Sequence, residues 1–290
     1  FAYGQTGAGK TWTMRGGNDK KDWGLTRRFI NYLYDEINDN KASSDVTVSC
    51  DFFEIYCGTL KDLFYHLDHP KDKNPPKLTV GLDAKHKVVV KGALTKGEED
   101  FKGPEEMLAL FDKANKGRVV AHTAMNSQSS RSHSIFVIKT HTYNKTTKKS
   151  YDGKLNIIDL AGSERINKSK VEGQQKEEAI AINESLSCLG NVISVLSSEE
   201  YAKKKGDVFV PYRENILTKV MQDSLGGDAK TLMFVNCSPA KYNLSETFTS
   251  LTYASRVKNI TNIVATKDED SAEVTRLKRL LKSHGIKDDA

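Results

Sequence analysis

Gly4-Gln5-Thr6-Gly7-Ala8-Gly9-Lys10-Thr11 is a G-x-x-x-x-G-K-T run. Its glycines let successive backbone N–H groups curl round phosphate oxygens, Lys10 reaches the outer phosphates and the Thr11 hydroxyl reaches Mg²⁺. The chemistry this spacing serves is nucleotide phosphate binding. Ile157-Ile158-Asp159-Leu160-Ala161-Gly162 supplies what that chemistry needs next, an apolar strand that delivers an aspartate to the metal shell. The glycine three residues on has an N–H that can approach a γ-phosphate closely. Read alone, Asp159 also fits a helix N-cap after a strand; the loop upstream favours the metal role.

A third element, Asn126-Ser127-Gln128-Ser129-Ser130-Arg131-Ser132-His133, is a polar run of hydroxyls with one arginine between a helix and a strand. By itself it reads as a surface loop rich in turn formers. Beside the other two it reads as a nucleotide-sensing switch, with hydroxyls for Mg²⁺ and phosphate and with Arg131 able to pair with Glu164.

Positioning such residues takes a sheet with helices around it. A phosphate loop normally follows a buried parallel strand, yet only Phe1-Ala2-Tyr3 precede Gly4, against about 5–6 residues in a typical strand. The chain is therefore expected to be cut inside that strand. Apolar periodicity predicts helices over 26–38, 104–116, 177–197, 217–224 and 246–260, and β-branched and aromatic runs predict strands over 46–56, 88–90, 134–141, 154–159 and 231–237. The alternation is that of an α/β domain with a largely parallel sheet. Residues 69–77, with three prolines, read as a loop.

With 290 residues, 38% hydrophobic and 28% charged, the composition is that of ordinary globular material and favours one large domain. A net charge of +6 suits an acidic partner without choosing among nucleic acid, membrane surface and acidic protein filament. Cys50, Cys57, Cys188 and Cys237 show no C-x-x-C or metal-like spacing and read as small buried side chains in a reducing, intracellular compartment. No apolar run is expected to reach the roughly 18 residues that span a bilayer, and no secretory signal is seen.

Taken in order, Gly4–Thr11, Asn126–His133 and Asp159-Leu160-Ala161-Gly162-Ser163-Glu164 resemble the phosphate loop and two switches of the kinesin motor domain. Asn183-Glu184-Ser185-Leu186 with Leu189-Gly190, Val210-Pro211-Tyr212-Arg213, Asp223-Ser224-Leu225-Gly226-Gly227 and Tyr253-Ala254-Ser255-Arg256-Val257 extend the similarity over residues 1–263. The resemblance implies a three-layer P-loop NTPase, α/β, with a central mostly parallel sheet, helices on both faces and its first strands missing. It implies ATP and Mg²⁺ as cofactors, microtubule-stimulated ATP hydrolysis in the intact parent protein with its first strands restored, and a location on cytoplasmic microtubules, those of the spindle included.

The nucleotide set it implies is Gly4, Gln5, Thr6, Gly7, Ala8, Gly9, Lys10 and Thr11 with Asn126 and Ser129. Thr11, Ser130 and Asp159 would serve the metal, Asp159 through water. Gly162 would sense the γ-phosphate, and Arg131 and Glu164 would form the ion pair that closes the site and aligns the attacking water. Ser130, Arg131, Gly162 and Glu164 are thus the catalytic set. The implied partner is the microtubule, met by Lys168, Lys170, Lys203, Lys204, Lys205 and Arg213; the three consecutive lysines read equally as a solubilising loop. Neither nucleic acid nor membrane is an expected partner.

After Val257 the segments 258–262 and 273–280 are similar to the post-motor region of the C-terminal-motor, minus-end-directed class, in particular its calmodulin-binding plant and algal members. That implies minus-end movement, a homodimer through a stalk outside this chain, and a neck-like segment over 264–290. In that segment Val274, Leu277, Leu280 and Leu281 form a narrow apolar stripe. Calmodulin is a further implied partner, although residues 271–287 lack the long basic amphipathic stretch with bulky anchors such targets use. The family's adenine contacts precede its phosphate loop, so ATP is inferred from the family and from the absence of an N-K-x-D guanine motif. Two rivals are a nonmotile microtubule-binding module, against which all the catalytic residues speak, and a GTP-dependent switch.

Overall fold

The computed structural model describes residues 1–120, 130–164, 174–204 and 207–262. Along the chain run β1 (Ala2–Tyr3), α1 (Lys10–Met14), α2 (Leu25–Asp39), β2 (Ser44–Tyr56), β3 (Thr59–Asp62), α3 (Leu63–Asp68), β4 (Thr79–Leu82) and β5 (Val88–Lys91). They are followed by α4 (Pro104–Val120), β6 (His133–Asn144), β7 (Ser150–Asp159), α5 (Gln174–Leu196), α6 (Glu199–Lys203), α7 (Ile216–Val220), β8 (Phe234–Val235) and α8 (Leu244–Val257).

Six strands form one sheet in the order β3-β2-β6-β7-β1-β8, and β4 and β5 form a separate hairpin. The α/β fold with helices on both faces is as expected, but the sheet is mixed rather than mostly parallel. β1 is parallel to both β7 and β8, whereas β3, β2, β6 and β7 pair antiparallel in turn. Connection length accounts for β2–β3 and β6–β7, because antiparallel neighbours need only a turn while parallel ones need a long crossover. Two residues, Cys57 (φ 48°) and Gly58 (φ 69°), join β2 to β3, the positive-φ pair of a tight hairpin turn. Five residues join β6 to β7.

Strand alternation divides the core. From β2, Val48, Cys50 and Phe52 point to a layer with Ile30 of α2, Phe64 of α3 and Met107 and Phe111 of α4. Phe53 and Ile55 point the other way, to Leu186, Leu189, Val192 and Ile193 of α5 and Leu217 and Val220 of α7. The Phe52 ring sits 5.0 Å from Phe111 and 5.4 Å from Phe136, separations at which aromatic pairs add to area burial.

Two expectations are corrected. Residues Lys176–Leu196 do form a helix long and apolar enough to cross a bilayer by length and composition. Its apolar side, however, is the buried core layer just described, as in the central helix of a large α/β domain. Of the four cysteines, all free thiols, only Cys50 is fully buried; Cys57 is exposed on the turn after β2 and Cys237 is exposed two residues past β8. The predicted strand over 231–237 shrinks to Phe234–Val235, and the predicted helix over 217–224 to Ile216–Val220. Residues 264–290 lie outside the described residues.

Candidate nucleotide-binding site

The site gathers at the C-terminal ends of the parallel strands β1 and β7, where ligands of open α/β sheets bind. β1 ends at Tyr3 and hands the chain to the loop 4–9. Alongside it, Ala2 lies opposite Asp159, the last residue of β7, and Ser163 N–H donates to the Gly4 carbonyl at 3.2 Å. Register alone therefore sets the loop beside 159–164, although some 150 residues separate them in the chain.

Gly4 must be glycine on two counts. Its φ is +150°, and a Cβ there would lie 2.2 Å from the carbonyl oxygen of Asn236, just past β8. Asn236 in turn donates through Nδ2 to Thr13 Oγ1 at 2.9 Å, so the residue after β8 braces the loop and α1. Gly7 and Gly9 also have positive φ. Among the described residues, the N–H groups of Gly7 and Gly9 meet no protein acceptor, which leaves an arc of donors of the kind that cradles phosphate.

Lys10 is 6% exposed, and its Nζ donates to the carbonyls of Gly4 at 2.8 Å and Gln5 at 2.9 Å. Burial lowers its pKa, opposed by the charges of Asp159 and Glu164. The ammonium is thus folded back on its own loop and desolvated, a state that an anion in the loop would relieve.

Thr11 Oγ1 donates to Asp159 Oδ2 at 2.7 Å, and Asp159 Oδ1 is buried with no hydrogen-bond partner. Burial raises the pKa of this carboxyl, opposed by the Thr11 hydrogen bond and by Arg118 and Lys10. A buried carboxylate oxygen with a spare lone pair beside a threonine hydroxyl is the hard-oxygen donor set a Mg²⁺ ion takes, so these residues fit the implied metal. Gly162 N–H donates to the Ser130 carbonyl at 2.9 Å, joining the second switch to the first.

The expected Arg131–Glu164 ion pair is not formed. Glu164 accepts from Thr6 N–H at 2.8 Å and from the Thr6 hydroxyl. Arg131 Nη1 instead donates to Glu178 Oε2 of α5 at 2.7 Å. Each carboxylate has taken the donors nearest in this arrangement, and Glu178, in a helix with no motif at that position, left no signal in the sequence. Gly162 remains tied to Glu164, since a Cβ on it would lie 2.3–2.6 Å from Thr6 Oγ1 and both Glu164 oxygens.

Two buried networks set these residues in place. Arg118 Nε donates to Glu54 Oε1 at 2.9 Å, and Arg118 also donates to Ser132 Oγ and its carbonyl. With side chains 4% and 3% exposed, this ion pair anchors the end of the first switch to β2 and α4. His133 is fully buried at the start of β6. Its Nδ1 accepts from Ala161 N–H at 3.0 Å, which leaves the ring hydrogen on Nε2, 2.8 Å from Ser185 Oγ. Ser185 passes its own hydrogen to the Ile182 carbonyl at 2.7 Å. One neutral imidazole therefore connects the first switch, the second switch and α5. His133 and Ser185 stood inside quoted motifs without a role, and Arg118, Glu54 and Asn236 stood outside them.

Burial, with Arg118 and Lys10 nearby, pushes the His133 pKa down from 6.5 to about 3. Above pH 6.5 the ring is neutral folded and unfolded alike. As pH falls from 6.5 toward 3 the unfolded chain gains a proton that the folded one refuses, so stability is lost at up to about 1.4 kcal/mol per pH unit. His133→Gln keeps an acceptor and a donor but cannot titrate. Urea unfolding at pH 7.5, 6 and 5 is expected to show a shallower fall for the variant by close to one proton; identical slopes would contradict a His133 held neutral.

Of the microtubule-facing residues, Lys203 lies 3.3 Å from Glu199 and Lys204 3.8 Å from Glu200, exposed pairs within one helical turn that contribute little to stability. Arg213 is exposed on a single 3₁₀ turn, Tyr212–Glu214. Asn126, Ser129, Lys168, Lys170 and Lys205 lie outside the described residues.

Comparison with known proteins agrees with this geometry. A family model described as kinesin motor domain matches residues 1–260. The chain is 40% identical over 274 residues to a kinesin heavy chain of Doryteuthis pealeii, covering 94% of this chain and 27% of that protein. It is 42% identical over 281 residues to the kinesin-like protein KIN-14E of Arabidopsis thaliana, covering 97% of this chain and 21% of that one. The chain thus spans about a quarter of the length of these relatives. Among solved structures, that of a fast kinesin matches with TM-score 0.79 and 38% identity, covering 92% of this chain and 71% of that one.

Proposed function

The chain belongs to the kinesin motor-domain family, and from that premise we propose that it is the ATP-hydrolysing, microtubule-binding part of a motor. The observation that carries this reading is the convergence of Lys10 and Thr11 on Asp159, with Glu164 on the loop beside them. Residues 4–11 hold the phosphates, Lys10 turning from its loop carbonyls to the anion. Thr11 and Asp159, joined by Ser130, would hold Mg²⁺, which when bound would supply positive charge to the outer phosphates. Gly162 N–H, now on the Ser130 carbonyl, and Arg131 and Glu164 are the groups that respond to the γ-phosphate. Little covalent chemistry falls to the protein, whose part is positioning and charge stabilisation.

The His133 bridge supports transmission of that response to α5, because its ring contacts both switches and the helix at once. Arg213 and the lysines of 203–205, with Lys168 and Lys170, are the proposed contacts to the acidic track, placing the protein on cytoplasmic microtubules, including spindle ones. Minus-end direction and dimerisation through a stalk elsewhere are supported by the similarity of segments 258–262 and 273–280 to the C-terminal-motor class. The comparable identity to a kinesin heavy chain and to KIN-14E leaves direction to be measured. Calmodulin binding follows only from that subclass, and a calcium-dependent pull-down tests it.

Steady-state ATPase with and without microtubules is the experiment. Strong stimulation is expected, with minus-end gliding of microtubules over the immobilised protein. Microtubule binding without stimulation would replace this reading by a nonmotile module, and plus-end gliding would remove the direction.

A further inference from the structure

Arg131 and two carboxylates divide unevenly in this structure. Glu178 accepts from Arg131 through Oε2 at 2.7 Å and from the Tyr56 hydroxyl through Oε1 at 2.6 Å. Both oxygens of Glu178 are therefore engaged, one by a cation from the first switch and one by a neutral donor at the end of β2 that fixes the carboxylate's orientation. Glu178 is 9% exposed in its side chain and Arg131 22%, so water screens their attraction less than it would a surface pair. Glu164, the carboxylate that the closed site needs for Arg131, is meanwhile held by Thr6 N–H and Oγ1.

These pairings make two alternative partners for one guanidinium. We propose that Glu178 is a positioning residue that keeps Arg131 on α5, so that closure around ATP is an exchange in which Arg131 leaves Glu178 for Glu164 as Glu164 leaves Thr6. This rests on the nucleotide-driven reading above and extends it. Because Glu178 stands on the same helix as Ser185, any shift of α5 changes the strength with which Arg131 is retained. α5 and the closing of the site are thereby coupled through one carboxylate, a charge rearrangement acting on a two-state element.

The energetics give the sign of a test. A ligand shifts a two-state equilibrium only by its differential affinity for the states. An ATP analogue, with a γ-phosphate, favours the closed pairing; ADP does not. Weakening the open pairing therefore tightens binding of the analogue and leaves ADP alone. Glu178→Gln keeps the shape and the acceptor for Tyr56 but removes the charge that holds Arg131.

Equilibrium binding of a non-hydrolysable ATP analogue and of ADP, each with Mg²⁺, is measured on the intact chain. Glu178→Gln is expected to raise analogue affinity by about 5–50-fold, within the usual range of coupling between sites, with ADP affinity nearly unchanged. Glu178→Asp, which keeps the charge, should restore part of the wild-type ratio. Tyr56→Phe, which removes the orienting hydroxyl and keeps the ring, should move the ratio the same way by less, and it decides the matter if Glu178→Gln does not fold. An analogue-to-ADP ratio unmoved in Glu178→Gln, or in Tyr56→Phe where that variant must decide, overturns the exchange while leaving the nucleotide site standing. A wild-type chain that binds neither nucleotide overturns both.

Discussion

Lys10→Ala is expected to lower ATP turnover by roughly 10²–10³-fold, the cost of removing one preorganised donor from developing transition-state charge. Nucleotide affinity should fall as well, by roughly 10–100-fold, since hydrogen bonds to charged groups contribute about 1.5–3 kcal/mol. The structure adds a third consequence. Lys10 Nζ satisfies the carbonyls of Gly4 and Gln5, and both residues are buried. Alanine leaves those carbonyls without their donor, at about 1–3 kcal/mol of stability. Equilibrium binding of a fluorescent nucleotide, steady-state turnover and urea unfolding separate the three effects. Turnover within tenfold of wild type would remove Lys10 from the proposed role.

Glu164→Ala should divide binding from chemistry. Among the described residues the hydrogen bonds of Glu164 to the loop are those with Thr6, so alanine releases the Thr6 N–H and hydroxyl. Affinity for ADP, which does not draw on the closed pairing, is expected to be kept or modestly raised. Hydrolysis should fall on the order of 10²-fold or more, the usual scale for a group that positions or deprotonates an attacking water. A loss confined to kcat, with binding intact, is the signature of an interaction made only in the transition state. Single-turnover hydrolysis set against nucleotide binding reads this directly. Equal hydrolysis in variant and wild type would falsify the catalytic assignment, and weakened binding would instead make Glu164 a ground-state partner of the loop.

The two variants probe neighbouring groups with opposite expectations for affinity, because Lys10 offers positive charge to phosphate and Glu164 negative charge to the same region. Glu164 also acts on the Lys10 ammonium, whose pKa burial lowers and the charges of Asp159 and Glu164 raise. Removing Glu164 therefore also takes away part of what keeps Lys10 charged. Measuring affinity across pH in Glu164→Ala would reveal that dependence as an earlier loss of binding on the alkaline side.

Much of the site was legible along the chain because phosphate binding is a local problem. The glycines and the adjoining lysine and threonine must be contiguous for their N–H groups, ammonium and hydroxyl to meet one phosphate group, and contiguity leaves a spacing that can be read. Asp159 was legible for a similar reason, as the polar end of an apolar strand. Several element boundaries follow from period: the strand expected over 46–56 is Ser44–Tyr56, and the amphipathic helix expected over 26–38 is Leu25–Asp39. Sheet direction was misjudged because alternation of strands and helices says nothing about the two-residue turn at Cys57-Gly58 that forces an antiparallel pair.

Tertiary structure decided who pairs with whom. Arg131 and Glu178 are 47 residues apart, Tyr56 and Glu178 122, and Arg118 and Glu54 64. Glu164, much nearer in sequence to Arg131, bonds across 158 residues to Thr6. An ion pair depends on distance and desolvation in space, neither of which is written in the residue types, so a charge can be recognised in the sequence while its partner cannot. Likewise the sequence contains His133 and Ser185, but only the packing of β6 against the end of β7 and α5 makes one imidazole accept from Ala161 and donate to Ser185. The amino-acid sequence by itself determined the fold class, the phosphate loop and the residue types available for catalysis, because these follow from local spacing and periodicity. The folded arrangement determined the sheet's mixed direction and which carboxylate holds Arg131, because both depend on chain segments brought together by long-range packing.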